Sequence, residues 1–448
     1  MVSSPPGTGT RGHGRTDGSC QPVDRRSGAA RIAPATRGAP PRPPPDTRDR
    51  GVDIKALTWQ GNANVEVTEV PDPRIEHPTD AVIKVTSTAI CGSDLHLYGV
   101  LGPYLSPGDV LGHEAMGIVE EVGPEAAGHL SVGDRVVVPF NISCGHCWMC
   151  GRGLFAQCET TQVRAEGKGA TLFGYTSLYG SVPGGQAEYL RVPQAQFGPI
   201  KIPDGTPDEQ FLFLSDILPT AWQAVRYADV PPGGSVAVLG LGPVGQFAVR
   251  IAKHLGAGRV IGVDRVPERL ALAARYGAET VNLDEVDDVA ATLIDLVDGR
   301  GPDATIDAVG MEAHGGRLVA LAQRATGLLP DAIAQKVTDK LAVDRLDALH
   351  AAIKGVRRGG TVSVSGVYGG EVDAMPMMEM FDRGIQLRMG QAHVRRWTDE
   401  ILPLVLDPAD PLGTLDLTTH HLPLSDAAWG YEMFREKRDG CVKVVLNP

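Results

Sequence analysis

Ser235-Val-Ala-Val-Leu239 runs directly into Gly240-Leu-Gly242-Pro243-Val244-Gly245, and an amphipathic stretch to Leu255 then leads to Arg259-Val-Ile-Gly-Val263. A short β-branched run, a glycine turn, helical periodicity and a second β-branched run predict one βαβ unit with a parallel strand pair. Glycines here permit the tight turn, the close approach of a pyrophosphate and helix-on-strand packing. The helix N-terminus meanwhile faces the phosphate charge. Asp264 ends the second strand, nineteen residues after Gly245, where a carboxylate accepts from both ribose hydroxyls and repels a 2′-phosphate. NAD is therefore favoured over NADP, with Arg265 next door arguing the other way; the plainer alternative makes Asp264 an exposed strand end.

Outward from this unit the alternation continues. A helix is expected over Pro267 to Tyr276, then strands at Ala304-Thr-Ile-Asp307 and Thr361-Val-Ser-Val-Ser365, which together predict a doubly wound α/β domain. About fifty residues separate those last two strands. Ile333, Val337 and Leu341, then Leu346, Leu349 and Ile353, fall at helical spacings, so a helical insertion is expected over about 315–355. Upstream, from about 55 to 200, short Val-rich runs bounded by Gly and Pro predict a small all-β domain or barrel. Downstream, a helix is expected over Ser425 to Lys437, and the final Val442-Lys-Val-Val-Leu446 is free to complete a sheet elsewhere.

A chain of 448 residues exceeds the size of a single core, which implies two domains and an appendage. Residues 1–50 hold nine Arg and four Asp with crowded prolines, so of the net charge of −12 the remainder carries about −17. An acidic body argues against a nucleic-acid partner. The stretch 1–52 reads as a disordered or mis-called tail, and its acids and prolines do not suit an organelle-targeting peptide. No apolar run approaches membrane-spanning length, and the expected setting is cytoplasmic. Seven cysteines in a reducing setting point to metal binding before disulfides.

Cys91-Gly-Ser93-Asp94-Leu-His96, followed by Gly112-His113-Glu114, supplies a thiolate, imidazoles and a hydroxyl, the parts needed to hold zinc and move a proton away from it. Taken singly, Cys91 also fits a small buried hydrophobe and His113 a core histidine. Cys144, Cys147, Cys150 and Cys158 place four thiolates within fifteen residues, enough to close tetrahedrally around a structural zinc in a lobe at about 141–160. An iron–sulfur cluster is the alternative there, and it would be coloured.

In this order, those motifs and the glycine turn resemble the zinc-dependent medium-chain alcohol dehydrogenases over about 53–448. The resemblance implies a GroES-like catalytic domain at 53–217, a Rossmann NAD-binding domain at 218–377 and a return to the catalytic domain at 378–448, with the active site between them. It implies that Cys91 and His113 bind catalytic zinc, Ser93 and His96 relay the proton, Glu114 lies near the metal, Asp94 orients His113 and Arg269 contacts the adenosine ribose. Many relatives place cysteine as the third ligand; here Leu214-Ser-Asp216-Ile-Leu-Pro-Thr220 stands instead, which makes Asp216 the candidate. This segment, Met389-Gly-Gln-Ala-His393 and the insertion resemble the glutathione-independent formaldehyde dehydrogenase and formaldehyde dismutase branch. That branch implies two zincs per chain, tightly held NAD, a small aldehyde or alcohol as substrate, a homo-oligomer (dimer or tetramer) and His393 at the border of the pocket. Lys443 is expected either to reach the pyrophosphate from the last strand or to face solvent. A general alcohol or polyol dehydrogenase with exchangeable cofactor, and a non-enzymatic nucleotide-binding protein, are the competing readings.

Overall fold

The computed structural model describes residues 53–310, 346–368 and 375–448, all within one compact unit spanning Asp46–Pro448. The tail and the Ile333, Val337 and Leu341 face of the insertion lie outside the described residues. Six strands form one parallel sheet: Ser235–Leu239, Arg259–Asp264, Glu279–Asn282, Ala304–Asp307, Thr361–Val364 and Gln386–Met389. Counted along the chain, their spatial order is 3-2-1-4-5-6, the doubly wound order, with a switch point between Ser235–Leu239 and Ala304–Asp307. Every residue of the strands Ser235–Leu239, Ala304–Asp307 and Thr361–Val364 is buried, as a sheet covered on both faces requires. Helices Pro243–His254 and Pro267–Arg275 each begin on a proline, whose fixed φ and missing N–H suit the first helical position. From the insertion, the helix Asp347–Gly355 buries Leu349 and Ile353, with Leu346 at its N-cap, in the core beside the sheet.

Strand Gln386–Met389 corrects the expected boundary at 377. It pairs in parallel with Thr361–Val364, so the sheet takes one more crossover through the helix Met377–Arg383 before the chain returns. This edge strand reads Gln-Leu-Arg-Met, partly exposed and without β-branched residues, so its pattern does not say which sheet it joins.

The rest of the described chain builds a two-stranded sheet, Ile54–Gly61 with Asn64–Val70, and a larger one ordered His420–Pro423, Val444–Asn447, Ala81–Ile90, Glu114–Val122, Arg135–Val138 and Ile200–Lys201, with Tyr189–Val192 also on Ala81–Ile90. The last strand thus joins the amino-terminal part of the fold, pairing antiparallel with the strand that ends just before Cys91. One apolar cluster runs across both halves, from Cys91, Met116 and Phe140 to Ile217, Val236 and Phe247. Among the described residues no helix is long and apolar enough to cross a membrane.

Candidate active site and metal centres

Three segments deliver the first cluster. Strand Ala81–Ile90 ends at Cys91, which starts the helix Gly92–Gly99; His113 immediately precedes strand Glu114–Val122; Asp216 precedes the amphipathic helix Ile217–Ala228, which packs on the helix Pro243–His254. Gly112 fixes the approach of His113. Its φ is +96°, and a Cβ there would meet the backbone of Gln186 at 2.6 Å, so only glycine fits.

The side chains converge. His113 Nε2 lies 3.2 Å from Asp216 Oδ2 and 3.1 Å from Ser93 Oγ, and Cys91 Sγ lies 3.6 Å from Asp216 Oδ2. On the far side of the ring, His113 Nδ1 is 3.1 Å from Asp94 Oδ1. The same carboxylate accepts from the Cys91 N–H at 3.0 Å, so Asp94 both caps the helix and faces the histidine. Ligand atoms of Cys91, His113, Glu114 and Asp216 all lie within 4.8 Å of one another, and all four residues are buried. His96 is buried one helical turn after Ser93 on the same helix.

Electrostatics at this cluster favour a cation. Burial, together with the charges of Glu114 and Asp216, pushes the Cys91 thiol up to about 11. Burial alone would lower His113, but the Asp94 and Asp216 carboxylates hold it well above its ordinary value. Asp216 is drawn below its usual range because contact with His113 outweighs burial. Three buried carboxylates thus share the space with one thiol, one imidazole and one ammonium. A divalent ion would displace the protons of Cys91 and His113 and take their place as countercharge. Sulfur, nitrogen and carboxylate oxygen form a donor set suited to zinc, and with three ligands a fourth position stays open for substrate.

Lys443 is placed differently from either expectation. It is fully buried, with Nζ 2.7 Å from Glu114 Oε1 and 2.9 Å from the Ile90 carbonyl, and Glu114 raises its affinity for its proton although burial opposes this. Gln186 and Thr220 escaped the sequence reading. Gln186 Nε2 donates to Asp94 Oδ2 at 3.3 Å while Tyr431 donates to its Oε1, and Thr220 donates to Asp216 Oδ1 at 2.8 Å. Only Thr220 carried a signal, one turn after Asp216 on a helix start.

At the second cluster, Cys144 and Cys150 sulfurs are 4.0 Å apart and those of Cys147 and Cys158 are 3.9 Å apart. Tetrahedral Zn–S bonds give an S–S edge of about 3.8 Å, so the spacing suits a closed zinc site. The N–H groups of Cys147 and Cys150 donate to Cys144 and Cys147 sulfurs at 3.3 and 3.4 Å. Burial would raise Cys147, but N–H donors from Cys150 and Glu159 overcome it and bring that thiol down to about 6. His393 accepts the Ala156 N–H on Nδ1 at 3.1 Å and so braces this lobe.

At the glycine turn, Gly240 has φ +87°, and a Cβ on Gly245 would sit 1.8 Å from the Gly240 carbonyl. Asp264 Oδ2 accepts from the Leu241 N–H at 2.7 Å and Oδ1 from Arg265 and Val266, which holds the carboxylate beside the turn and leaves one lone pair, on Oδ2, open. Gly242 caps the helix Pro243–His254, with Val244 in its first turn, and the Arg269 guanidinium lies 3.6 Å from where a Gly242 Cβ would be. Arg269 is buried, and among the described residues its Nε has no hydrogen-bond partner. A buried guanidinium beside a helix N-terminus suits an anionic dinucleotide.

The chain is similar to known proteins over most of its length. Residues 77–204 match the family described as alcohol dehydrogenase GroES-like domain, and residues 243–327 match zinc-binding dehydrogenase. A Bacillus subtilis (strain 168) protein named as an uncharacterized zinc-type alcohol dehydrogenase-like protein is 43% identical over 88% of this chain and 100% of its own length. Formaldehyde dismutase of Pseudomonas putida is 32% identical over 88% of this chain and 97% of its own. Among solved structures, the alcohol dehydrogenase TADH from Thermus sp. ATN1 is 35% identical, with a TM-score of 0.71, over 88% of this chain and 99% of that one. With a GroES-like part, a Rossmann sheet and a four-cysteine cluster in place, the chain belongs to the zinc-dependent medium-chain alcohol dehydrogenase family.

Proposed function

We propose that this oxidoreductase transfers hydride between NAD and a small aldehyde, taken as its hydrate, or the corresponding alcohol, with formaldehyde as the type substrate. The observation that carries the reading is the buried meeting of Cys91, His113 and Asp216, with Ser93 and His96 on one adjoining helix. Zinc, when bound, supplies Lewis-acid polarisation of the substrate oxygen, and NAD supplies the hydride acceptor. Cys91, His113 and Asp216 would hold the metal, and Cys144, Cys147, Cys150 and Cys158 a second, structural zinc.

Asp94 fixes the His113 ring through Nδ1 and leaves Nε2 as the ligand atom. Ser93 Oγ accepts the substrate hydroxyl proton, and His96 carries it outward. Glu114 stands beside the ligands with its charge balanced by Lys443. Gly240, Gly242 and Gly245 admit the pyrophosphate, Arg269 pairs with it or its ribose, and Asp264 selects NAD. The Phe140 and Tyr175 rings stand edge-on to His113, each at 6.3 Å, and this crowding favours a substrate of few carbons. Relatives named for formaldehyde conversion point the same way: alongside the dismutase, a glutathione-independent formaldehyde dehydrogenase of Pseudomonas aeruginosa (strain LESB58) is 38% identical over 58% of this chain and 66% of its own length.

The test is turnover of formaldehyde by the purified chain with and without added NAD, following formate and methanol together. Formate and methanol in equal amounts without added NAD mean dismutation on a retained cofactor; formate only with added NAD means a dehydrogenase. Oxidation of longer alcohols with no formate formed would replace this reading with a general alcohol dehydrogenase.

A further inference from the structure

Asp307 is a fully buried carboxylate that the reaction does not use. It ends strand Ala304–Asp307 at the switch point, beside the strand that feeds the glycine turn. Among the described residues no cation hydrogen-bonds to it. Its Oδ1 accepts from the N–H groups of Val309 at 3.0 Å and Gly310 at 3.3 Å, and its Oδ2 accepts from the Tyr368 hydroxyl at 2.5 Å. Its carbonyl accepts from the N–H groups of Ser365 and Gly366, each at 3.0 Å. One residue therefore gathers the loops that follow two neighbouring strands.

Those loops bear on the glycine turn. A Cβ on Gly240 would meet Val309 Cγ2 at 2.6 Å and Ala308 at 3.2 Å, so the segment after Asp307 packs directly on the first glycine. Gly310 and Gly366 in turn lie back to back, each leaving under 3 Å for a Cβ against the other loop. The crevice outside the carboxyl ends of these strands is where open α/β sheets take their ligands. A buried, hydrogen-bonded carboxylate at that place costs desolvation, which its donors offset only while both loops stay seated.

We infer that Asp307 and Tyr368 are positioning residues for the dinucleotide: their hydrogen bond seats the 308–310 turn against Gly240 and so sets the shape of the pyrophosphate cradle. The inference rests on the dinucleotide reading of the glycine turn. Neither residue touches the metal cluster, so their loss should weaken cofactor binding and leave the chemical step alone.

The test uses Tyr368→Phe, which removes one hydroxyl, and Asp307→Asn, which keeps the shape, both in the full chain. Dissociation constants for NADH and NADPH, KM for the cofactor, kcat, zinc content and the melting temperature are compared with wild type. The expected result is a five- to tenfold weaker NADH affinity in each variant, kcat within twofold and zinc unchanged. Because the clasp faces the turn and not the 2′-position, any NADPH affinity should fall by the same factor. Wild-type binding with unchanged affinity in both variants would overturn the clasp alone, and so would a loss of kcat at unchanged affinity. A wild type that binds neither dinucleotide would overturn the cofactor reading itself.

Discussion

Lys443 Nζ lies 2.7 Å from Glu114 Oε1, with both side chains fully buried and 329 residues apart along the chain. The pair ties the last strand to the residue next to His113, so the carboxy-terminal segment is part of the metal site's wall. Removing only one partner leaves an uncompensated buried charge, whereas removing both restores neutrality. Lys443→Met should lose about 3–5 kcal/mol of stability, and the double variant Glu114→Gln, Lys443→Met distinctly less. Denaturant unfolding of the single and double variants checks this, and equal losses would refute the pairing.

Acid should loosen the brace at the cysteine lobe. Burial, with the Arg396 charge adding, brings His393 down to about 4, and the neutral ring accepts the Ala156 N–H. A depressed folded value stabilises the fold above the ordinary histidine range near 6.5, and the contribution is lost as pH falls toward 4. It amounts to at most about 3 kcal/mol. His393→Asn keeps an acceptor but cannot titrate, so its stability should fall less between pH 7 and pH 4.5 than that of the wild type. Identical pH dependence in the two proteins would count against this.

The four-cysteine lobe should hold zinc and carry no colour. Cys150→Ser should lose one zinc per chain and lower the melting temperature while the other zinc remains, as read by metal analysis. A visible absorption band in the wild type would instead support iron–sulfur.

His96 lies one turn beyond Ser93 and is the outer end of the proposed relay. His96→Ala should slow turnover roughly tenfold near neutral pH, less than the ~10²–10⁴ of a direct acid or base, because water can stand in for it. The measurement is kcat against pH; an unchanged profile would remove His96 from the relay.

Local signals carried most of the fold and site into view, and long-range ones did not. The glycine turn, the four cysteines and Asp94 beside Cys91 are close in sequence, where spacing alone constrains geometry. Leu349 and Ile353 reported a helix through their period. Lys443 could not be assigned because its partner is set by sheet pairing between Val444–Asn447 and Ala81–Ile90, and no periodicity encodes that register. Gln186 was equally hidden, since a buried amide joining Asp94 to Tyr431 looks like any glutamine before the chain folds. The place of the edge strand Gln386–Met389 in the parallel sheet was not legible, because a half-exposed edge strand carries no apolar pattern that names its neighbour.

Asp216 joins the two halves of the molecule: its carboxylate reaches Cys91 and His113 while its backbone starts the helix that packs on the helix Pro243–His254 of the Rossmann part. The most direct measurement is zinc content per chain of Asp216→Ala beside the wild type, both purified in the same buffer. Two zincs in the wild type and one in the variant, with hydride transfer lost, is the predicted result. Two zincs retained in the variant would contradict the assignment of Asp216 as the third ligand.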